Sequence, residues 1–172
     1  MAIFHGDDDY QRLDWMLLQN GAVSLYHRVE ILAEDVAWLA AHGYVVHDFD
    51  CAAWDSQDHF HDAVSTELDF PGWYGRNFSA FNDCLCDIEI PDEGGCALVF
   101  RRYDHFTARE PQPAQWILEA IQDNSRILSL WGKRLLALLQ SDDPRLEFQL
   151  RPVGACSVSW NRREWLNSAR GL

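Results

Sequence analysis

Residues 70–88 read Phe-Pro-Gly-Trp-Tyr-Gly-Arg-Asn-Phe-Ser-Ala-Phe-Asn-Asp-Cys-Leu-Cys-Asp-Ile, and this stretch predicts a loop that leads into a helix. Pro71, Gly72 and Gly75 mark the loop, and Gly75 is free to adopt a positive φ. Asn77 is placed to cap the helix, because its side-chain oxygen can accept a hydrogen bond from an unpaired backbone N–H. We expect the helix to run from Phe78 to about Ile88.

The predicted helix has two distinct faces. Its apolar residues recur with helical spacing and form one stripe, namely Phe78, Phe81, Leu85 and Ile88. A second set of residues falls on another stripe, namely Ser79, Asn82, Asp83 and Cys86. The pattern therefore predicts a helix that packs one face on a core and displays the other.

The pattern Phe-Pro-x-Trp-Tyr-Gly-x-Asn, followed by x-x-Ala-x-x-Asp-Cys-Leu, resembles the signature of the barstar family of intracellular ribonuclease inhibitors. The resemblance covers residues of about 44–140. It implies an α/β fold with three parallel core strands and packed helices, which we place near 44–50, 96–101 and 134–140. Residues 1–43 form an N-terminal strand-helix extension and residues 141–172 a C-terminal β extension of what we expect to be one domain, 1–172.

The resemblance also implies a binding surface made of the loop and the displayed helix face. Five positions match the family's contact residues, namely Trp73, Tyr74, Gly75, Asn77 and Asp83. Ser79 stands where the family has an acid and Asn82 where it has a tryptophan, while Asp87 lies one turn after Asp83. We include these three as candidate partner-binding residues. A further family acid aligns only loosely with Gln115.

Each of these residues also has a purely structural interpretation. Adjacent aromatic residues beside a proline often anchor a loop on the core, so Trp73 and Tyr74 can serve the fold instead of a partner. Their side chains should diverge, which leaves one to pack inward and the other available. Asp83 can equally be an ordinary exposed helix residue.

The charge distribution favours a basic protein as the partner. The net charge is −13, and residues 48–93 carry twelve acidic residues and one base, Arg76, which gives −11. Such a surface repels phosphates, so nucleic acid is not expected as a direct ligand. The alternative is that the acidic residues only keep the protein soluble.

We find no pattern that calls for a metal, a cofactor or a catalytic site. His59 and His61, two residues apart on a predicted solvated helix, point away from each other, and Cys84 and Cys86 do the same. The five cysteines suit reduced, buried thiols. No nucleotide-binding or nucleophile motif is present.

The N-terminus has no signal-peptide pattern and no apolar run is long enough to span a membrane, so we expect a cytoplasmic protein.

Periodicity predicts the remaining elements in order. We expect a strand at residues 22–27, a helix from Val29 that ends at Gly43, a helix capped by Asp55 or Ser56 that ends just before Pro71, and a helix from Pro113 to about Leu130. Residues 146–150 and 156–160 alternate with period two, which predicts an antiparallel, hairpin-like addition to one sheet edge.

The resemblance therefore implies an intracellular immunity protein or antitoxin that occludes the active site of a ribonuclease or nuclease-like toxin, and the acidic segment favours a basic partner. One alternative is a binding module of the same fold that regulates a non-nuclease partner. An unrecognised hydrolase that uses the acidic loop is a third interpretation.

Overall fold

The computed structural model describes residues 4, 6, 9–154 and 156–165, and it has a five-stranded parallel sheet at its centre. The strands are β1 (Val23–Tyr26), β2 (Tyr44–Asp50), β3 (Gly95–Arg101), β4 (Leu135–Gln140) and β5 (Ser159–Trp160). The helices are α1 (Leu13–Leu18), α2 (Val29–Ala41), α3 (Gln57–Glu67), α4 (Phe78–Cys86), α5 (Tyr103–Arg109) and α6 (Pro111–Leu130). Four short 3-10 helices lie at Asp9–Gln11, Cys51–Ala53, Leu146–Phe148 and Arg162–Glu164.

The three predicted core strands are adjacent and parallel, in the order β2-β3-β4. The prediction of a parallel α/β fold is therefore confirmed. The N-terminal strand β1 pairs with β4, with Val23 opposite Ala137, and β5 then pairs with β1 at the edge. Residues on both sides of the family region thus enlarge the same sheet.

Helices cover both faces of the sheet, so its central strands are buried along their length. In β4, Leu135, Ala137 and Leu139 face the core beneath α3, α4 and α6. The alternate residues Leu136 and Leu138 face a second core beneath α1 and α2. This layering places α4 and the preceding loop on the outside of the first core.

Two glycines, Gly43 and Gly94, lie at the edge of the sheet where β2 and β3 begin. Gly43 ends α2 with φ +83°, as predicted. A Cβ built on Gly94 would lie 1.9 Å from the carbonyl oxygen of Gly43, so the two backbones meet without room for a side chain.

The C-terminal β extension differs from the prediction. Residues Leu146–Phe148 form a 3-10 helix, Ser159–Trp160 pairs with β1 in parallel, and the antiparallel contact within the described part of this segment is one bridge between Val153 and Cys156. The predicted hairpin is wrong, and Leu146, Leu150, Val158 and Trp160 pack their side chains on the first core instead. Backbone groups there bond to side chains instead: Arg151 N–H donates to Gln115 Oε1 at 3.0 Å.

The C-terminal segment is instead held by buried carboxylates. Asp35 on α2 accepts hydrogen bonds from Tyr26 Oη at 2.9 Å and Asn161 Nδ2 at 2.8 Å. Glu164, itself buried, accepts from the backbone N–H groups of His27 and Arg28 just before α2. These bonds attach the C-terminal segment to the sheet, where β5 pairs with β1 over only two residues.

Sequence patterns missed α1 and α5, and α6 begins at Pro111, two residues before the predicted start. The turn before α5 carries no glycine: Arg102 takes the left-handed conformation with φ 53°, and Gln140 Oε1 accepts from its N–H at 2.8 Å. Contacts across the sheet, and not a local signal, therefore start this helix.

Cys51, Cys84 and Cys96 are buried free thiols as predicted, but Cys86 is exposed and Cys156 is half-buried. Among the described residues, no helix is both long enough and apolar enough to cross a membrane.

Candidate partner-binding surface

The loop at residues 71–77 runs along α3 before the chain enters α4. Its left-handed residue is Arg76, with φ 49°, so the prediction of a positive φ at Gly75 is wrong. Arg76 is held there by an ion pair with Asp62 and by a bond from its Nη2 to the carbonyl oxygen of Asp58 at 3.3 Å. A Cβ on Gly75 would lie 3.0 Å from Asn77 Nδ2, so a larger residue there would displace the capping side chain by a few tenths of an ångström.

Asn77 caps α4 as predicted. Its Oδ1 accepts from the Ala80 backbone N–H at 2.9 Å, and its Nδ2 donates to the Gly75 carbonyl oxygen at 3.1 Å. The side chain thus fixes both the start of the helix and the end of the loop. The helix ends at Cys86, two residues earlier than expected, with Asp87 as its C-cap.

The two adjacent aromatic residues diverge. Trp73 is 72% exposed, whereas Tyr74 is half-buried and packs edge-on against Phe70 with ring centroids 4.9 Å apart. The Tyr74 hydroxyl bonds to Nδ1 of His61 on α3. Trp73 is therefore open to a partner, and Tyr74 anchors the loop.

His61 is buried, which corrects the prediction that both histidines of α3 are solvated; His59 is exposed. Burial lowers the pKa of His61, so its ring is neutral at pH 7 and can bond to the tyrosine. Burial of the Tyr74 hydroxyl likewise raises the pKa of Tyr74. The pair is a structural contact between α3 and the loop.

Helix α4 has the two faces predicted from its sequence. Phe81 and Leu85 are fully buried beneath it. On its outer side the exposed residues are Ser79, Asn82, Asp83, Cys86 and Asp87. The structure thus brings the candidate residues of the loop and helix onto one continuous segment at the surface.

Two polar contacts tie neighbouring elements to this surface. Asn82 accepts at Oδ1 from Asn124 Nδ2 on α6 at 2.9 Å, so α4 is fastened to α6. Gln115 is buried and bonds to both backbone groups of Arg151. Gln115 therefore packs with the C-terminal segment and is not part of the exposed face that a partner could contact.

Half of the twelve acidic residues in segment 48–93 are already paired within the protein. The paired acids are Asp48, Asp50, Asp55, Asp62, Glu67 and Asp92. The other six form no ion pair with any residue that the structure describes: Asp58, Asp69, Asp83, Asp87, Glu89 and Glu93. The hydrogen bond from Arg76 lowers the pKa of Asp62. Since Arg76 is neutralised in this way, the loop and α4 present a net negative surface.

Sequence patterns missed Trp116, which lies beside this surface on α6. It is 41% exposed and meets Phe78 edge-on, with ring centroids 5.1 Å apart. Ile127 follows Trp116 by eleven residues, which is close to three full turns, so it lies on the same side of α6. Ile127 is also exposed. The sequence did carry a signal for this surface, because Trp116 and Ile127 are apolar residues that fall outside the core-facing stripe of α6.

A separate group of possible metal ligands lies at the carboxyl ends of β3 and β4. Asp104, His105 and Asp142 place one ligand atom each within 4.8 Å of one another. His105 Nε2 is 3.8 Å from Asp142 Oδ2, a spacing that neighbouring exposed side chains commonly adopt without a metal. This group is remote from the loop in sequence and shares none of its residues.

Comparisons with known proteins agree with these features. The sequence model of the family described as "Barstar (barnase inhibitor)" matches residues 34–140. The match begins ten residues before the resemblance seen in the sequence and so includes most of α2. A Bacillus subtilis (strain 168) protein named "Putative ribonuclease inhibitor YrdF" is 34% identical over 64 residues, which are 37% of this chain and 66% of that protein. This chain thus matches just under two thirds of YrdF.

Among solved structures, a chain of "Structure of Drosophila ORC bound to AT-rich DNA and Cdc6" aligns with 91% of this chain and 59% of its own length. The TM-score is 0.47 and the identity 13%, a level of likeness that says nothing about function. The family match spans well over half of the sequence and contains the capped helix, the loop and the three adjacent strands. This chain belongs to the barstar family, whose members are inhibitors and not enzymes.

Proposed function

We propose that this protein binds a basic ribonuclease, or a nuclease-like toxin, and occludes its active site with the loop and the outer face of α4. The proposed contact residues are Trp73, Gly75, Asn77, Ser79, Asn82, Asp83 and Asp87, and Tyr74 holds the loop. One observation carries the proposal: Asp83 and Asp87, one turn apart on an exposed helix face, have no cation of their own among the described residues.

The proposed mechanism is competition for the enzyme's cations. A ribonuclease must present Arg, Lys or His side chains to the phosphates of RNA. Carboxylates that lack an internal partner can occupy the same positions without losing an ion pair of their own. The inhibitor then needs no turnover, because it blocks access.

An exposed tryptophan completes the proposed interface. Trp and Tyr concentrate binding energy at interface centres, and Trp73 can bury most of its surface against a partner. Ser79 and Asn82 carry no charge, and Asn82 is already bonded to Asn124. We therefore expect the partner's cleft to differ from that of barnase. We place the inhibitor in the cytoplasm, where it would protect a cell from its own secreted toxin.

Inhibition of RNA cleavage tests this function. The chain is titrated into barnase and into each purified ribonuclease encoded in the genome that encodes it, with a fluorogenic RNA as substrate. We expect one-to-one inhibition of at least one enzyme. Trp73→Ala should weaken it by about 30-fold or more, the loss of a central tryptophan contact.

Trp165→Ala is the matched control. Trp165 is 61% exposed and lies near α1 and α2 on the opposite side of the sheet, so its removal should leave inhibition unchanged. If the chain inhibits none of these enzymes, the proposed function is wrong, and a barstar-fold module with a non-nuclease partner becomes the better hypothesis.

A further inference from the structure

Two side-chain contacts join the binding loop to α3. Consecutive residues of α3, His61 and Asp62, meet loop residues two positions apart, Tyr74 and Arg76. His61 Nδ1 bonds to the Tyr74 hydroxyl, and Asp62 pairs with the Arg76 guanidinium. One turn earlier on α3, the carbonyl oxygen of Asp58 accepts a further bond from Arg76 at 3.3 Å.

The loop adopts a backbone conformation that has to be held in place. Asp69, two residues before the loop, and Arg76 within it are left-handed, with φ of 50° and 49°, although neither is glycine. Such residues persist only where their surroundings enforce the conformation. Backbone bonds support the start of the loop, from Phe70 N–H to the Ser65 carbonyl oxygen at 3.0 Å and from Tyr74 N–H to the Pro71 carbonyl oxygen at 2.8 Å.

The part of the loop that would face a partner has little support of its own. Gly72, Trp73, Gly75 and Arg76 are all exposed. A Cβ built on Gly72 would meet no atom within 4 Å. The contacts made by His61 and Asp62 therefore flank Trp73 and restrain the loop, together with the Asn77 bond to the Gly75 carbonyl oxygen and the ring contact between Tyr74 and Phe70.

We propose that His61 and Asp62 are positioning residues for partner binding: they order the loop in the free protein so that Trp73 is presented in its binding conformation. This inference rests on the proposed function. Ordering a loop costs affinity when it happens on binding, so a loop ordered beforehand binds more tightly. Asp62 also neutralises Arg76, the one base of segment 48–93. In this proposal, however, Asp62 affects partner affinity mainly by ordering the loop.

Hydrogen exchange in the free protein tests this order without any partner. Tyr74→Phe removes the bond to His61, Asp62→Asn removes the negative charge of the ion pair with Arg76, and Arg76→Ala removes both that ion pair and the bond to the Asp58 carbonyl oxygen. We expect the amides of residues 72–77 to exchange about two- to ten-fold faster in each variant, since a hydrogen bond or an ion pair to α3 is weakened or lost. Asp58→Asn is the matched control, because it removes the same charge from α3 without removing a side-chain contact to the loop.

Affinity measurements separate positioning from simple charge effects. The partner is barnase, or the enzyme that the wild-type chain inhibits in the assay above. Asp62→Asn makes the chain less negative and Arg76→Ala makes it more negative, so electrostatics alone would shift affinity for a basic enzyme in opposite directions. Positioning predicts that both variants bind about two- to ten-fold more weakly, mostly through slower formation of the ordered complex.

The outcomes are distinguishable. If the wild-type chain inhibits a ribonuclease but exchange at residues 72–77 is unchanged in all three variants, the positioning role is wrong and the proposed function stands. Faster exchange with unchanged affinity, or opposite shifts for Asp62→Asn and Arg76→Ala, would also overturn it. A wild-type chain that inhibits no ribonuclease would instead remove the proposed function on which the inference rests.

Discussion

Replacement of Asp83 by alanine is the sharpest test of the proposed surface. Asp83 lies on the exposed face of α4 and forms no ion pair with any residue in the described part of the chain. The free protein should therefore lose nothing, and alanine is the better helix former by a few tenths of a kcal/mol or more. Any loss of affinity must arise in the complex.

The size of that loss follows from the environment that Asp83 would enter. A carboxylate about 4 Å from one cation gains roughly 4 kcal/mol at an effective dielectric constant of about 20, before the cost of its own desolvation. Its removal leaves the enzyme's cations buried and unpaired. The expected cost is on the order of 2–5 kcal/mol, or about 30-fold to several thousand-fold in Kd, a range that includes charge pairs of the barnase–barstar complex.

The control is Asp58→Ala, which removes the same charge from the exposed side of α3. It should change mainly the association rate, by well under about 1 kcal/mol. Surface plasmon resonance with the inhibited ribonuclease gives both rates, and Asp83→Ala should act mostly through faster dissociation. Equal, small effects of the two variants would show that α4 is not the inhibitory face.

Four other predictions concern charge, packing and metal. Association with the ribonuclease should slow steeply as salt rises towards about 0.5 M, since screening weakens attraction beyond a Debye length, and rates that stay flat in stopped-flow experiments would argue against steering. Gln115→Ala should lower the free energy of unfolding, measured by urea titration, by about 1–3 kcal/mol, because the backbone groups of Arg151 lose their partner. Inhibition, measured without urea on the native protein, should stay unchanged. Burial of Asp14 favours its neutral form, but the hydrogen bonds from Arg12 and Tyr44 outweigh it and hold the pKa of Asp14 below its usual range. Its stabilising contribution is therefore present above pH of about 4 and lost as pH falls through the lower folded pKa, so between pH 5 and 2 Asp14→Asn should lose less stability than the wild type in urea titrations. A chelator should leave both the melting temperature and inhibition unchanged, and a large drop in melting temperature would reveal a structural metal.

The local features of this protein could be predicted from its sequence because they depend on residues within one or two helical turns. The cap at Asn77 needs only the backbone of Ala80, and the two faces of α4 follow from the helical period. Gly43 could be assigned to the end of α2 for the same reason. The loop-helix signature lies in a single stretch of sequence, so the family could be identified as well.

The tertiary structure alone decided which distant residues meet. Neither the place of β1 beside β4 nor the parallel pairing of β5 has a local signal, because strand order depends on how helices pack across the sheet. The period-two pattern of the C-terminal segment could not reveal that its backbone bonds to Gln115 rather than to a strand.

The same limit applies to the candidate site. The sequence shows that Trp73 and Tyr74 are adjacent and that residues 48–93 are acidic, but not which aromatic points outward or which acids are already paired. Those properties are set by His61 and Asp62 on α3 and by cations beyond the segment, such as Arg101 opposite Asp48. Sequence by itself therefore determined most of the helices and strands and the acidic character of the surface, whereas exposure, pairing and loop conformation depend on contacts between distant residues that only the folded chain brings together.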